Sequence, residues 1–229
     1  MRRLQALLDL LFPRRCLGCR ALGSFFCATC QAQVRAMPEP FCPACGLLVE
    51  WSTPLCRCAR PAPTLVAAAG EFGGPLRQAI HHLKYKGQTA GAGALAALLS
   101  EAALPILQPD YLLAPIALHP QRERERGYNQ AALLARELAQ MHGVQHAERA
   151  LRRIKRTRPQ VGLETVERAK NMAGAFQADA VCHGRVVVLV DDVCTTGATL
   201  RAAAHAAREA GARRVYAAVL AAVPPGRPR

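Results

Sequence analysis

Eight of the ten cysteines fall between Cys16 and Cys58 as four close pairs: Cys16/Cys19, Cys27/Cys30, Cys42/Cys45 and Cys56/Cys58. Three pairs are C-x-x-C and the last is C-x-C. The N-terminus imitates a short secretion signal, Met1-Arg2-Arg3 followed by Leu4–Phe12. But Asp9 interrupts the apolar stretch, Pro13-Arg14-Arg15 follows it, and no small-residue cleavage site appears. The reading is a cytoplasmic chain, in which paired cysteines point to metal and not to disulfides. A C-x-x-C knuckle presents two thiolates to one ion at Zn–S distances of ~2.3 Å, and two knuckles complete a tetrahedral site. Two closed, structural zinc sites are therefore expected. The intervening segments of seven and ten residues favour the sequential pairing, Cys16, Cys19, Cys27, Cys30 and then Cys42, Cys45, Cys56, Cys58. A crossed pairing joins the first knuckle with the third. The C-x-C is a strained knuckle that leaves the second site open to question. Gly18 and Gly46 stand where a knuckle turn favours a residue with free φ.

The cysteine-rich segment divides the chain. Leu4, Leu7, Leu8 and Leu11 share one helical face, so residues 1–12 read as a short amphipathic helix packing on its own protein, with a membrane surface or a partner as the alternative. Residues 13–60 form the ribbon module, Arg60-Pro61-Ala62-Pro63 reads as a linker, 64–223 as the main domain and 224–229 as a disordered tail. No apolar run approaches the roughly 18–20 residues of a membrane span. The formal charge is +14. A zinc held by four thiolates carries net −2, so two of them bring the whole chain to about +10 and the first 60 residues from +5 to about +1. The positive character thus belongs to the main domain. A ribbon of such low charge is as well suited to structure or partner docking as to nucleic acid.

Within the main domain, apolar strands alternate with helices: strands at Leu65–Phe72, Tyr111–Ala117, Arg185–Val190 and Val215–Val223; helices at Pro75–Lys84, Ala90–Leu104, Tyr128–His142, Leu163–Asn171 and Gly197–Ala210. Strands apolar throughout predict an α/β fold with a parallel sheet covered on both faces. At the carboxyl end of one such strand lies Val190-Asp191-Asp192-Val193-Cys194-Thr195-Thr196-Gly197-Ala198-Thr199. Open α/β sheets bind ligands beyond the carboxyl ends of their strands. The loop can offer backbone N–H groups and three Thr hydroxyls to a phosphate, helped by the helix start, and Gly197 allows close approach. Asp191 and Asp192 suit a ribose diol or Mg²⁺.

This stretch resembles the signature by which type I phosphoribosyltransferases bind phosphoribosyl diphosphate (PRPP): four apolar residues, two acids, then T-T-G-x-T. The resemblance implies that Asp191 and Asp192 recognise the ribose hydroxyls. It gives the 5′-phosphate to Thr195, Thr196, Gly197, Ala198 and Thr199. A second segment, His119–Gln130, places Arg122, Arg124 and Arg126 on a loop after a strand, suited to a diphosphate. His119 is a candidate base by position only. A third, Arg152–Phe176, carries Arg158, Gln160, Arg168 and Asn171; with net +5 over Glu148–Arg158 it reads either as a flap over a polyphosphate or as a strip for a nucleic-acid backbone.

Together with Phe12-Pro13, Leu83-Lys84-Tyr85-Lys86-Gly87, Arg126-Gly127-Tyr128-Asn129-Gln130, Gly174 and Phe176, these segments resemble the ComF/GntX family, a double zinc ribbon plus a phosphoribosyltransferase domain. That resemblance implies a role in handling imported DNA, in natural transformation or as nutrient, with single-stranded DNA and proteins of DNA uptake as partners. Three functions follow: phosphoribosyl transfer from PRPP·Mg²⁺ to an unnamed acceptor, single-stranded nucleic-acid binding, and PRPP sensing without turnover.

Overall fold

The computed structural model describes residues 13–43, 45–51, 63–155 and 172–223. The expected N-terminal helix, Cys56, Cys58, most of the linker, the flap residues Arg158, Gln160, Arg168 and Asn171, the helix expected at Leu163–Asn171 and the tail lie outside them.

The described elements run α1 (Ala28–Ala32), β1 (Ala36–Phe41), β2 (Val66–Glu71), α2 (Gly74–Tyr85), α3 (Ala92–Ala103), β3 (Leu112–Pro115), α4 (Pro120–Arg126), α5 (Gln130–His142), β4 (Gln145–His146), β5 (Leu151–Arg153), β6 (Phe176–Ala178), β7 (Val186–Cys194), α6 (Ala198–Glu209) and β8 (Arg214–Ala222). Six strands form one sheet in the order β1-β2-β8-β7-β3-β4. All neighbours are parallel except β1, which runs antiparallel to β2. β5 and β6 form a separate antiparallel pair.

The expected all-apolar strands are buried on both faces. Val186, Val188 and Val190 join the core beneath α2, α3 and α5, while Val187 and Leu189 join the core beneath α6. This is period-2 alternation with both faces covered. β7 continues past the expected end at Val190, because Asp191, Val193 and Cys194 keep their register with Val219, Ala221 and Ala222 of β8. The two acids thus stand on a strand and not on a loop.

From β3 the chain passes through α5 to β4, away from β7. From β7 it passes through α6 to β8, away from β3. The two helices pack in the two opposite cores. A crevice must therefore open between the carboxyl ends of β3 and β7, the switch point where doubly wound sheets bind ligands.

The helical stretch Thr89–Ile106 has 18 residues and mean hydropathy 1.4, enough by length and composition to cross a membrane, contrary to the expectation that no run approaches that size. Its Leu95, Ala96, Leu99 and Ala103 are buried against the sheet core, which accounts for the apolar composition.

The cysteine-rich segment contributes to the same core. β1, which carries two prolines, extends the sheet at its edge, the place to which a proline-bearing strand is suited. Leu17 is fully buried beside Gly91, at which an added Cβ would lie 2.4 Å from Leu17 Cδ1. His82 Nδ1–H donates to the Leu17 carbonyl at 2.7 Å, which gives this histidine a structural role. Arg20 Nη1 donates to Gln88 Oε1 at 2.7 Å.

Leu17→Ala should cost about 2–5 kcal/mol of unfolding free energy through the cavity it leaves. Chemical denaturation followed by a sheet-sensitive signal checks this: a main transition that does not move would mean the N-terminal segment folds apart from the sheet.

Candidate active site and zinc centre

Cys16, Cys19, Cys27 and Cys30 converge with all four Sγ atoms within 4.8 Å of one another, in the combination of the sequential pairing. Cys16 and Cys30 Sγ lie 3.6 Å apart and Cys19 and Cys27 Sγ 3.7 Å. Four Zn–S bonds of ~2.3 Å at tetrahedral angles set the sulfurs about 3.8 Å apart, so the cluster has the dimensions of a zinc site. Burial works to raise the Cys16 thiol, but N–H groups of Cys19, Cys27 and Gly18 outweigh it and bring Cys16 down to about 6. Burial and the neighbouring sulfurs push Cys30 up. Four thiolates thus require a cation among them, which zinc supplies.

Gly18 is needed for a different reason than its φ. An added Cβ there would lie 2.7 Å from Cys30 Sγ and 2.9 Å from Pro75 Cβ. The positive φ in this turn belongs to Arg20, at 69°. Gly46 does take the left-handed conformation, φ 76°, and its N–H closes the Cys42–Cys45 turn on the Cys42 carbonyl at 2.8 Å. Of the second zinc set only this knuckle is described.

At the β3/β7 switch point a cleft of about 770 Å³ is lined by residues of several elements, among them Asp191, Asp192, Thr195 and Thr199. Asp191 is 8% exposed and Asp192 3%. Asp191 Oδ1 accepts the Asp192 N–H at 2.8 Å. Lys84 Nζ pairs with Asp192 Oδ2 at 2.7 Å. Burial alone would lower the Lys84 ammonium; Asp192, with help from Asp191, more than reverses this and holds it above its ordinary value. Burial and the Asp192 charge push Asp191 up to about 8, against the pull of Lys84. One ammonium does not offset two buried carboxylates, so the pair suits ligand hydroxyl donors or a second cation.

The loop after β7 carries the three threonines. Thr195 and Thr199 face the cleft, and Thr196 Oγ1 is buried without a hydrogen-bond partner among the described residues. Gly197 caps α6 at φ 70°, and Ala198 opens the helix. Burial pushes the Cys194 thiol up to about 12, with the Gly197 N–H among the groups that oppose it.

The segment expected as an arginine loop is the helix α4. His119 caps it, accepting the Gln121 N–H on Nδ1 at 3.3 Å, and Gly127 ends it at φ 81°. Residues four apart share a helical face and residues two apart do not. Arg122 and Arg126 therefore line the cleft while Arg124 does not. Arg126 donates to Gln130 Oε1 and stands 5.3 Å from the Tyr85 ring centroid. Asn129 caps α5, its Oδ1 accepting from Ala131 N and its Nδ2 donating to the Ile116 carbonyl, both at 3.0 Å.

Two basic cleft residues had no assigned role in the sequence. Lys84 stands in a chain with only four lysines among 30 basic residues, a scarcity that marks it. Arg153 lies within the basic 148–158 run and faces the cleft beside Phe176, its charge centre 5.6 Å from the ring.

Residues 7–68 match the double zinc ribbon domain family and residues 125–229 the phosphoribosyl transferase domain family. The chain is 30% identical to "Competence protein F" of Haemophilus influenzae, covering 89% of this chain and 95% of that one. It is 33% identical to "DNA utilization protein YhgH" of Escherichia coli K12, covering 82% and 88%. To "Competence protein ComFC" of Bacillus subtilis it is 25% identical, covering 81% and 78%.

The raised Asp191 sets a pH dependence. The folded chain binds this proton more tightly than the unfolded chain, whose carboxyl titrates near 3.8. The stability it contributes is full below that pH and is lost as pH rises toward about 8. Without divalent cation, the stability difference between the unaltered chain and Asp191→Asn should fall by up to ~1.4 kcal/mol per pH unit within that window. Denaturation at pH 6 and pH 8 measures it, and a pH-independent difference would contradict the assignment.

Proposed function

From the premise that this chain belongs to the ComF family, a double zinc ribbon with a phosphoribosyltransferase domain, we propose that the β3/β7 cleft binds PRPP with Mg²⁺. The observation that carries this reading is the buried Asp191–Asp192 pair at the end of β7, followed directly by the Thr195–Thr199 loop at a helix start. Asp191 and Asp192 accept hydrogen bonds from the ribose hydroxyls. Thr195, Thr196 and Thr199, with the N–H groups opening α6, hold the 5′-phosphate. Arg122, Arg126 and Arg153, which also line the cleft, draw the diphosphate. Lys84 holds Asp192 in place through their ion pair.

The donor set suits Mg²⁺, which is usually bound by one or two carboxylates together with substrate phosphates. When bound, it neutralises charge on the leaving diphosphate. In the transfer, an acceptor nitrogen forms a bond to ribose C1 as the C1–O bond to diphosphate breaks. Arg122 and Arg126 stabilise the negative charge that gathers on the departing oxygens. His119 spends its Nδ1 on the α4 cap, so we assign no general base.

The names of the relatives support a place in competence or DNA utilisation. We assign this work to the cytoplasm, where reduced thiols favour zinc. Single-stranded DNA, alongside protein partners of uptake, is favoured by one feature: exposed Arg149 and Arg152 line a second groove that shares Arg153 and Leu118 with the cleft.

Calorimetric titration of PRPP with Mg²⁺ should give saturable binding. Asp191→Asn should abolish it, and Arg126→Ala should weaken it about tenfold or more, the worth of a charge-assisted hydrogen bond. No binding to the folded, zinc-loaded chain rejects the reading. Affinity for single-stranded DNA should fall steeply with salt through counterion release, and Arg149→Ala with Arg152→Ala should flatten that slope.

A further inference from the structure

Arg201 sits in the first turn of α6, next to the Thr195–Thr199 loop, and its guanidinium serves the protein's own backbone. Its Nη1 donates to the Thr196 carbonyl at 2.6 Å and to the Pro43 carbonyl at 2.9 Å. Pro43 belongs to the Cys42–Cys45 knuckle, 158 residues away in sequence from Arg201. The contact is close packed: a Cβ added at Gly197 would lie 2.9 Å from both Pro43 Cβ and Pro43 O. The knuckle is itself anchored, because Cys42 N–H donates to Leu47 O at 2.9 Å and Val49 N–H to Pro40 O at 2.8 Å. Through Phe41, paired with Val66, it is continuous with the sheet.

We propose that the Cys42–Cys45 knuckle is a working part of the phosphate site, and that Arg201 is the positioning residue that transmits it. The inference rests on the phosphoribosyl reading above and adds to it a specific dependence on the N-terminal segment. The physical basis is the orientation of one peptide. In a trans peptide the C=O and the following N–H point in opposite directions. The Thr196–Gly197 peptide has its C=O on Arg201, so its N–H points the opposite way. With its carbonyl held on Arg201, it is kept from rotating to present that oxygen to the ligand phosphate, where it would repel it. Gly197, at φ 70°, is the residue whose backbone is most free to allow such a rotation. An arginine held between two carbonyls thus preorganises the loop without touching the phosphate.

The test uses the full zinc-loaded chain and two probes, ribose 5-phosphate for the loop and inorganic diphosphate for the Arg122/Arg126 wall. Arg201→Ala should weaken ribose 5-phosphate binding roughly tenfold, the worth of one or two hydrogen bonds, and leave diphosphate binding unchanged. Arg201→Lys, which can reach one carbonyl, should recover part of the loss. Pro43→Gly loosens the knuckle and should weaken ribose 5-phosphate in the unaltered background but add little to Arg201→Ala, since both act through one contact.

Undiminished ribose 5-phosphate binding by Arg201→Ala overturns the inference. So does an equal loss of both probes, which would mean general damage, or full additivity with Pro43→Gly. Failure of the unaltered chain to bind ribose 5-phosphate rejects the phosphoribosyl reading itself, and this inference with it.

Discussion

Two adjacent carboxylates at the buried end of a central strand cannot both stay ionised without a cation, since burial and mutual repulsion act in the same direction. Lys84 is the cation the chain supplies, 2.7 Å from Asp192. Much of the surrounding architecture holds it there. α2 must end over the β7 terminus, and its last turn is fastened by the Tyr128 hydroxyl on the Leu83 carbonyl and by Arg126 against the Tyr85 ring. Tyr128 and Arg126 flank Gly127, so the turn that ends α4 also secures the end of α2. The balance is incomplete by design of the site: one ammonium faces two carboxylates, and Asp191 is left with a raised pKa that hydroxyl donors or a further cation can exploit.

Three of the contacts between the cysteine-rich segment and the phosphoribosyltransferase domain differ in kind. Leu17 inserts into the core against Gly91, β1 pairs with the sheet edge, and the Cys42–Cys45 knuckle rests on the loop after β7. The first two bury apolar surface and satisfy backbone groups. The third reaches the candidate phosphate site. Zinc held by Cys16, Cys19, Cys27 and Cys30 would tie their two knuckles together, and the segment so fixed would serve as scaffold for elements far along the chain.

Helix geometry explains which basic residues take part. The Arg122–Arg126 run sorts itself by 3.6-residue periodicity, two arginines inward and Arg124 outward, because Pro120 opens a helix and His119 and Gly127 cap it. The 148–158 run sorts by strand alternation where β5 begins, with Arg152 exposed and Arg153 turned inward over Phe176. Composition alone distinguishes none of these arginines from its neighbours.

The sequence by itself determined what rests on local spacing. The knuckle spacing announced the cysteine cluster. All-apolar strands between helices announced a parallel sheet covered on both faces. The order of strand, acids, threonines and helix announced where a ligand would sit. These features are legible because each is set by residues within about fifteen positions of one another, through bond geometry and periodicity. Tertiary structure alone decided the rest: that Lys84 comes from α2 to pair with Asp192, that Leu17 makes the N-terminal segment part of the main core, and that Pro43 touches the loop at Gly197. Those contacts join residues tens to more than a hundred positions apart. No local pattern encodes them, because they exist only once the sheet has fixed where each helix ends.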